Sequence, residues 1–278
     1  MIQKYLAGSL SVERLSIPIA NLSPKLVGTK IVHLTDFHFD GIRLSEQLLQ
    51  QAIATSNQFQ PDLVLLTGDY VTDQPAPITQ LAAHLAQLQT QAGIFAVLGN
   101  HDLLKRDSQA QITQALTEQG IQVLWNQVSY PLGQDLAIVG LPDYWSRQFQ
   151  PELTLSQIDP QIPRIVLSHN PDSAEDLMAW RVDLQLSGHT HGGQVVIPGV
   201  GPVIGKIKQW RSKIPKKMKR WVPFLWQECY EVVQNWEWSQ GLHRIGNNRV
   251  YINRGLGTYM PGRFFCPPEL TLIELTGN

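Results

Sequence analysis

The sequence predicts an α/β protein built on two packed β-sheets flanked by helices. Three observations point there. Short apolar runs of strand length alternate with helical patterns over most of the chain. The runs are mostly apolar, the mark of a largely buried sheet. Composition, 43% apolar and 16% charged over 278 residues, is that of an ordinary folded protein and excludes disorder or a coiled coil. No Pro/Gly/Ser-rich stretch divides the chain into comparable halves, so residues 1–278 are expected to form one domain.

The expected strands are Ile31–Thr35, Leu63–Thr67, Ile94–Leu98, Leu136–Leu141, Arg164–Ser168 and Leu184–Ser187. Between them Leu44, Leu48, Ala52 and Ile53 share one helical face, and Ile78, Leu81, Leu85 and Leu88 another. Ile112 and Leu116, stopped by Gly120, give a third helix. Beyond Gly192 helices thin out, and Gln194–Ile197, Arg249–Asn253 and Leu270–Leu275 are read as strands.

Five apolar runs end in residues able to bind a hard or borderline cation. They lead into Asp36 and His38, into Asp69, into Asn100 and His101, into His169, and into His189 and His191. Strand ends of an open α/β sheet converge on one crevice, so groups distant in sequence can meet there. Taken singly, Asp36-Phe37-His38 or Gly68-Asp69 is an ordinary turn, and His169 an ordinary buried histidine. Gly99-Asn100-His101-Asp102 and Gly188-His189-Thr190-His191-Gly192-Gly193 are sharper, because histidines flanked by glycines have few side chains to pack against. Five such endings in order argue for a metal site. Nitrogen and oxygen donors without thiolate suit manganese first, with iron or zinc as alternatives.

The ordered set Asp-x-His, Gly-Asp, Gly-Asn-His-Asp, His and Gly-His-x-His resembles the signature of the calcineurin-like metallophosphoesterases. Gly188–Gln194, Asn253–Thr258 and Pro268–Leu270 are similar to its YkuE-like bacterial subgroup. The resemblance runs from about Val12 to Leu275 and implies a four-layer αββα sandwich. It further implies two divalent ions, one held by Asp36, His38 and His191, the other by Asn100, His169 and His189, with Asp69 bridging them. It implies hydrolysis of a phosphoester, since paired cations acidify water to a pKa of about 7 and offset charge on phosphorus. His101 is expected to act catalytically as an imidazolium, with Asp102 keeping it oriented and charged. Arg254 is read either as a clamp for a substrate phosphate or as a surface arginine.

Net charge is −1, but residues 206–220 hold eight of the 22 Lys+Arg and no acid, leaving 14 basic against 23 acidic residues elsewhere. Ile207, Trp210, Ile214, Met218, Trp221 and Leu225 fall on one helical face with the cations off it. This basic, Trp-rich insert, about 205–239, departs from the subgroup pattern. It is read as a membrane-surface element over 205–226, with Trp210, Lys213, Lys217 and Trp221 as contacts, or as a lid over the protein's own core. No nucleic-acid partner is expected, given the acidic remainder. Two cysteines, no window long enough to span a bilayer and no cleavable leader give a cytoplasmic expectation, peripheral at the inner membrane face if the insert binds lipid. The expected substrate is phosphorylated and, on the membrane reading, lipid-linked, with UDP-2,3-diacylglucosamine the example; the alternatives are a soluble phosphodiesterase and a non-catalytic scaffold.

Overall fold

The computed structural model describes residues 7–206 and 233–277. Its first half contains β1 (Ser11–Ile19), β2 (Lys30–Leu34), α1 (Glu46–Gln58), β3 (Leu63–Leu66), α2 (Ile78–Leu85), β4 (Ile94–Ala96), α3 (Ser108–Glu118) and β5 (Ile121–Val123). There follow β6 (Gln127–Ser129), β7 (Ala137–Gly140), α4 (Pro151–Leu155), β8 (Arg164–Leu167), α5 (Ser173–Asp176) and β9 (Leu184–Ser187). The short hairpin of β10 (Val196–Ile197) and β11 (Gly201–Pro202) precedes β12 (Gly241–Ile245), β13 (Asn248–Ile252) and β14 (Glu269–Gly277).

Two six-stranded sheets result, ordered β1-β14-β2-β3-β4-β5 and β12-β13-β9-β8-β7-β6. Both are mixed: β2 to β5 run parallel with β14 antiparallel to β2, and β7, β8, β9 and β13 run parallel with β6 and β12 antiparallel at the edges. The central strands β3, β4, β7, β8 and β9 are buried on both faces because each face has a separate layer to meet. Leu63 and Leu65 of β3 point between the sheets, against Ile138, Ile165 and Leu167 of the second sheet. Val64 and Leu66 point the other way, onto Leu49 and Ile53 of α1 and Leu81 and Leu85 of α2. Val139 and Val166 meet Leu155 and Leu177 on the far side. The outcome is two mixed sheets packed face to face with helices outside, and truncating one of the inter-sheet leucines to alanine costs about 2–5 kcal/mol.

Several expectations are corrected. Ser45 caps α1, its Oγ accepting from the Leu48 N–H, so Leu44 precedes the helix although it is buried. The strand expected over Gln194–Ile197 shrinks to Val196–Ile197, because Gln194 turns at φ 55° and its side chain accepts the Tyr259 N–H. Strands β1, β5, β6 and β12 were not anticipated. The insert residues Trp210, Lys213, Lys217 and Trp221 lie outside the described residues. In the described residues that follow, the Gln234 and Asn235 N–H groups donate to Asp172, and Trp236 is buried. Among the described residues no helix is long and apolar enough to cross a membrane.

Candidate metal centre

Parallel pairing puts the C-terminal ends of β2, β3 and β4 side by side in one sheet and those of β8 and β9 in the other. Asp36 and His38 follow β2, Asp69 follows β3, Asn100 and His101 follow β4, His169 follows β8, and His189 and His191 follow β9. Hydrogen bonds from Asp36 N–H to the Gly68 carbonyl and from His38 N–H to the Asp69 carbonyl lock neighbouring loops together. Five of the seven candidate ligands, Asp36, His38, Asp69, His189 and His191, have left-handed backbone with φ of 44–69°. Such a conformation costs about 1–3 kcal/mol per residue, and its concentration here marks a constrained functional site. Two glycines make the approach possible: a Cβ on Gly99 would strike the Asp69 carboxylate, and one on Gly188 the Asp36 carboxylate. Glycine beside the histidines therefore makes room for the acids.

The donor atoms converge. His38 Nε2 lies 3.0 Å from His191 Nε2, which lies 3.3 Å from Asp36 Oδ1. His169 Nε2 lies 3.3 Å from His189 Nδ1 and 3.2 Å from Asp69 Oδ2. The same Asp69 oxygen is 3.5 Å from His38 Nε2, so it stands between the two groups. Donors bound at about 2.0–2.2 Å to one ion sit about 3.0–3.5 Å apart, which is the spacing found. Asn100 Oδ1 is buried without a hydrogen-bond partner, an orphan acceptor of the kind a cation satisfies. Asp36, His38 and His191, and Asp69, His169 and His189, each form a group able to hold an ion. The residues fit a pair of divalent cations.

The imidazoles are oriented from behind. His169 donates Nδ1–H to the Thr67 carbonyl (2.7 Å), and His191 donates Nδ1–H to the Gly257 carbonyl (3.3 Å). The Tyr259 hydroxyl meets His38 Nδ1 at 3.1 Å. Each contact leaves Nε2 as the free lone pair facing the centre. Tyr259 lies under the Arg43 guanidinium at 4.4 Å and stands edge-on to His191. Arg263, 8% exposed, donates to the carbonyls of Arg254, Gly255 and Gly257 and thereby fixes the loop that orients His191. Trp145 is edge-on to His189.

His101 Nδ1 donates to the Thr72 carbonyl at 2.8 Å, which presents Nε2 to the centre, and its ring is edge-on to His38. The expected Asp102 role needs correction. Asp102 does not orient His101: its carboxylate accepts the N–H groups of Asp69, Tyr70, Val71 and Gly99, knitting together the loops after β3 and β4. Thr72 does the orienting instead. Arg254 is not brought to the centre; its guanidinium is engaged by Glu13 and Glu269 at 2.6 and 2.9 Å.

Electrostatics sorts these groups. Burial drives His38 down to about 3 and His191 well below the usual histidine range, so both rings are neutral. Burial opposes charge on His169 as well, but the Asp69 carboxylate, with Asp36 and Asp143 beyond it, pushes its pKa up to about 10. Asp69 is held well below the carboxylate range, because His169 and His101 outweigh its burial. Burial raises Asp36 to about 6 and Asp102 to about 7, the charge of Asp69 adding to each. Outside the centre, His33 is buried within β2 and driven down to about 3 by burial, its Nε2 paired with Thr67 Oγ1, a packing role.

Tyr259, Arg43 and Arg263 escaped the sequence reading. They bind nothing by motif, and their relation to the centre exists only once the loop after β13 folds back over His38 and His191. The nearest signal is the Asn253–Thr258 stretch that ends just before Tyr259.

Comparison with known proteins agrees with this geometry. The calcineurin-like phosphoesterase family matches residues 29–193. The chain is 33% identical to phosphodiesterase YaeI of Escherichia coli, over 88% of this chain and 82% of that protein. It is 31% identical to the uncharacterized metallophosphoesterase YkuE of Bacillus subtilis, over 89% of this chain and 79% of that protein. It is 27% identical to the UDP-2,3-diacylglucosamine pyrophosphatase LpxG of Chlamydia trachomatis, over 95% of this chain and 89% of that protein.

Proposed function

Because this chain belongs to the calcineurin-like phosphoesterase family and is a metal-dependent phosphoester hydrolase, we propose that it cleaves a phosphodiester or pyrophosphate bond at the cluster around Asp69. Asp36, His38 and His191 would hold one ion and Asn100, His169 and His189 the other, with Asp69 placed to serve both. The observation that carries this reading is the single Asp69 oxygen within 3.5 Å of histidines from both groups. When bound, two divalent cations would acidify water and neutralise charge on the phosphoryl oxygens. Manganese is the first choice, iron or zinc the alternatives.

The chain's own residues supply orientation and a proton. Thr67, Gly257 and Tyr259 hold the ligand rings, and Asp102 holds the two loops that carry Asp69 and Asn100. His101, with Nδ1 tied to Thr72, has Nε2 to give to the leaving oxygen. The chain keeps seven donors together with His101, which argues for turnover rather than a scaffold role.

The finer reading is a lipid-linked diphosphate such as UDP-2,3-diacylglucosamine, with the protein peripheral at the cytoplasmic face of a membrane. Similarity to LpxG and the cation-rich 206–220 stretch support it. A soluble diester is the second reading, supported by similarity to phosphodiesterase YaeI. A manganese-supplemented assay comparing bis-p-nitrophenyl phosphate, p-nitrophenyl phosphate and UDP-2,3-diacylglucosamine, with and without chelator, separates them. Chelator-sensitive turnover of the lipid diphosphate far above the others is the expected result. Turnover unaffected by chelator would overturn the metal reading, and diester cleavage alone would leave the soluble one.

A further inference from the structure

The three most exposed large apolar side chains among the described residues are Met260 (77%), Phe265 (76%) and Ile42 (67%). Far apart in sequence, they sit on loops joined by backbone hydrogen bonds. The Thr258 N–H donates to the Arg43 carbonyl, which seats the Ile42 loop against the segment leading to Met260. The Phe264 N–H donates to the Gln194 carbonyl and the Phe264 carbonyl accepts from the Val196 N–H, which joins the 259–266 loop to the β10–β11 hairpin. That hairpin exposes Ile197 (49%) and Val200 (53%) at its turn, and Phe264 is 51% exposed.

These loops also shape the centre. Tyr259 contacts His38, and Arg263 and Cys266 contact the His191 carbonyl. Met260, Phe264 and Phe265 are therefore carried by the same loop as residues that contact the candidate ligands. Scattered surface leucines and valines need no explanation, but six exposed large apolar side chains on loops tied to one another by backbone hydrogen bonds are a candidate interaction surface. Its charge setting says of what kind. The hairpin leads to Lys206 and into the 206–220 stretch with eight Lys+Arg and no acid, in a chain otherwise rich in acid. Apolar tips in a chain whose sequence concentrates cations directly after the hairpin suit an anionic leaflet, where apolar side chains enter the acyl boundary and lysine and arginine meet headgroups.

We propose that Ile42, Ile197, Val200, Met260, Phe264 and Phe265 form a docking rim that seats the mouth of the metal centre on an anionic lipid surface. The proposal deepens the lipid-linked reading, and rests on the phosphoesterase reading only for which face of the molecule is the mouth. Flotation of the full chain with vesicles of phosphatidylcholine and phosphatidylglycerol tests it without turnover. The wild-type protein floats, and Met260→Asp and Phe265→Asp each lower vesicle partition about tenfold. Hydrolysis of bis-p-nitrophenyl phosphate by the same variants reports whether the fold and the ion site are intact. If an aspartate variant loses that activity, Met260→Ser and Phe265→Ser take its place. A wild-type protein that stays unbound, or folded variants that float as well as wild type, would overturn the rim, whereas a wild type that floats but hydrolyses neither bis-p-nitrophenyl phosphate nor UDP-2,3-diacylglucosamine would strike the enzyme reading alone.

Discussion

Replacing Arg263 by methionine keeps much of the side-chain volume and removes every donor. The guanidinium bonds the carbonyls of Gly257 (2.6 Å), Arg254 (2.7 Å), Gly255 (3.1 Å) and Cys266 (3.3 Å), and Thr258 Oγ1 at 3.1 Å. At 8% exposure it leaves little room for water to stand in. A stranded buried acceptor costs about 1–3 kcal/mol, so the two shortest bonds alone give about 2–6 kcal/mol. That is a large part of the roughly 5–15 kcal/mol that stabilises a typical domain. A second effect follows from geometry. The Gly257 carbonyl also receives His191 Nδ1–H, so a loosened loop frees the imidazole to rotate, and affinity for the ion held by Asp36, His38 and His191 drops about 10–100-fold. Urea unfolding and manganese titration of wild type, Arg263→Met and Arg263→Lys measure both, with lysine recovering part of each loss. A methionine variant that unfolds within about 1 kcal/mol of wild type and binds manganese equally well would refute the reasoning.

Four further outcomes are expected. Tyr259→Phe removes the partner of His38 Nδ1 and weakens manganese binding about 10–100-fold with little change in urea midpoint; an unchanged titration would show the hydroxyl to be idle. His101→Ala retains both ions by elemental analysis while turnover falls roughly 10²–10⁴-fold, and full activity would remove its assignment. Asp102→Asn puts an amide against four backbone N–H donors, so its cost is read in stability and ion content rather than in the pH profile of a surviving enzyme. The His169 pKa, pushed up to about 10, means that a cation must displace its proton at every lower pH. Manganese affinity therefore rises with pH through the neutral range, by up to about tenfold per unit, and calorimetry in buffers of different ionisation enthalpy shows about one proton released. No proton release would place that proton elsewhere.

The central strands were legible because each is buried on two faces and so is largely apolar, even where His33 interrupts β2 and Gln185 and Ser187 interrupt β9. Besides the two-residue β11, the strands missed were β1, β5, β6 and β12, which are the four edges of the two six-stranded sheets. Edge strands pair on one side only, so their composition is free to drift: β1 alternates exposure and tolerates Pro18, and β12 reads Gly-Leu-His-Arg-Ile. The seven candidate ligands were legible for a related reason, since each stands directly beyond a central strand. Asp102 was found but misassigned. Adjacency in sequence suggested His101 as its partner, whereas the turn between them aims the carboxylate at the backbone of a neighbouring loop. Arg254 was a fair candidate by type, and only the fold reveals that Glu13, from an unforeseen edge strand, occupies it.

The split of the donors has a mechanical consequence. Asp36, His38, Asp69 and Asn100 hang from one slab of the sandwich, His169, His189 and His191 from the other, and each proposed ion draws on both. Ions bound as proposed would act as staples across a seam, and a slip of one slab past the other by about an ångström would pull both donor sets out of alignment at once. Leucines deep in that seam, such as Leu65 and Leu167, touch no ion, yet by setting the registry of the slabs they help set the spacing at which the chemistry operates.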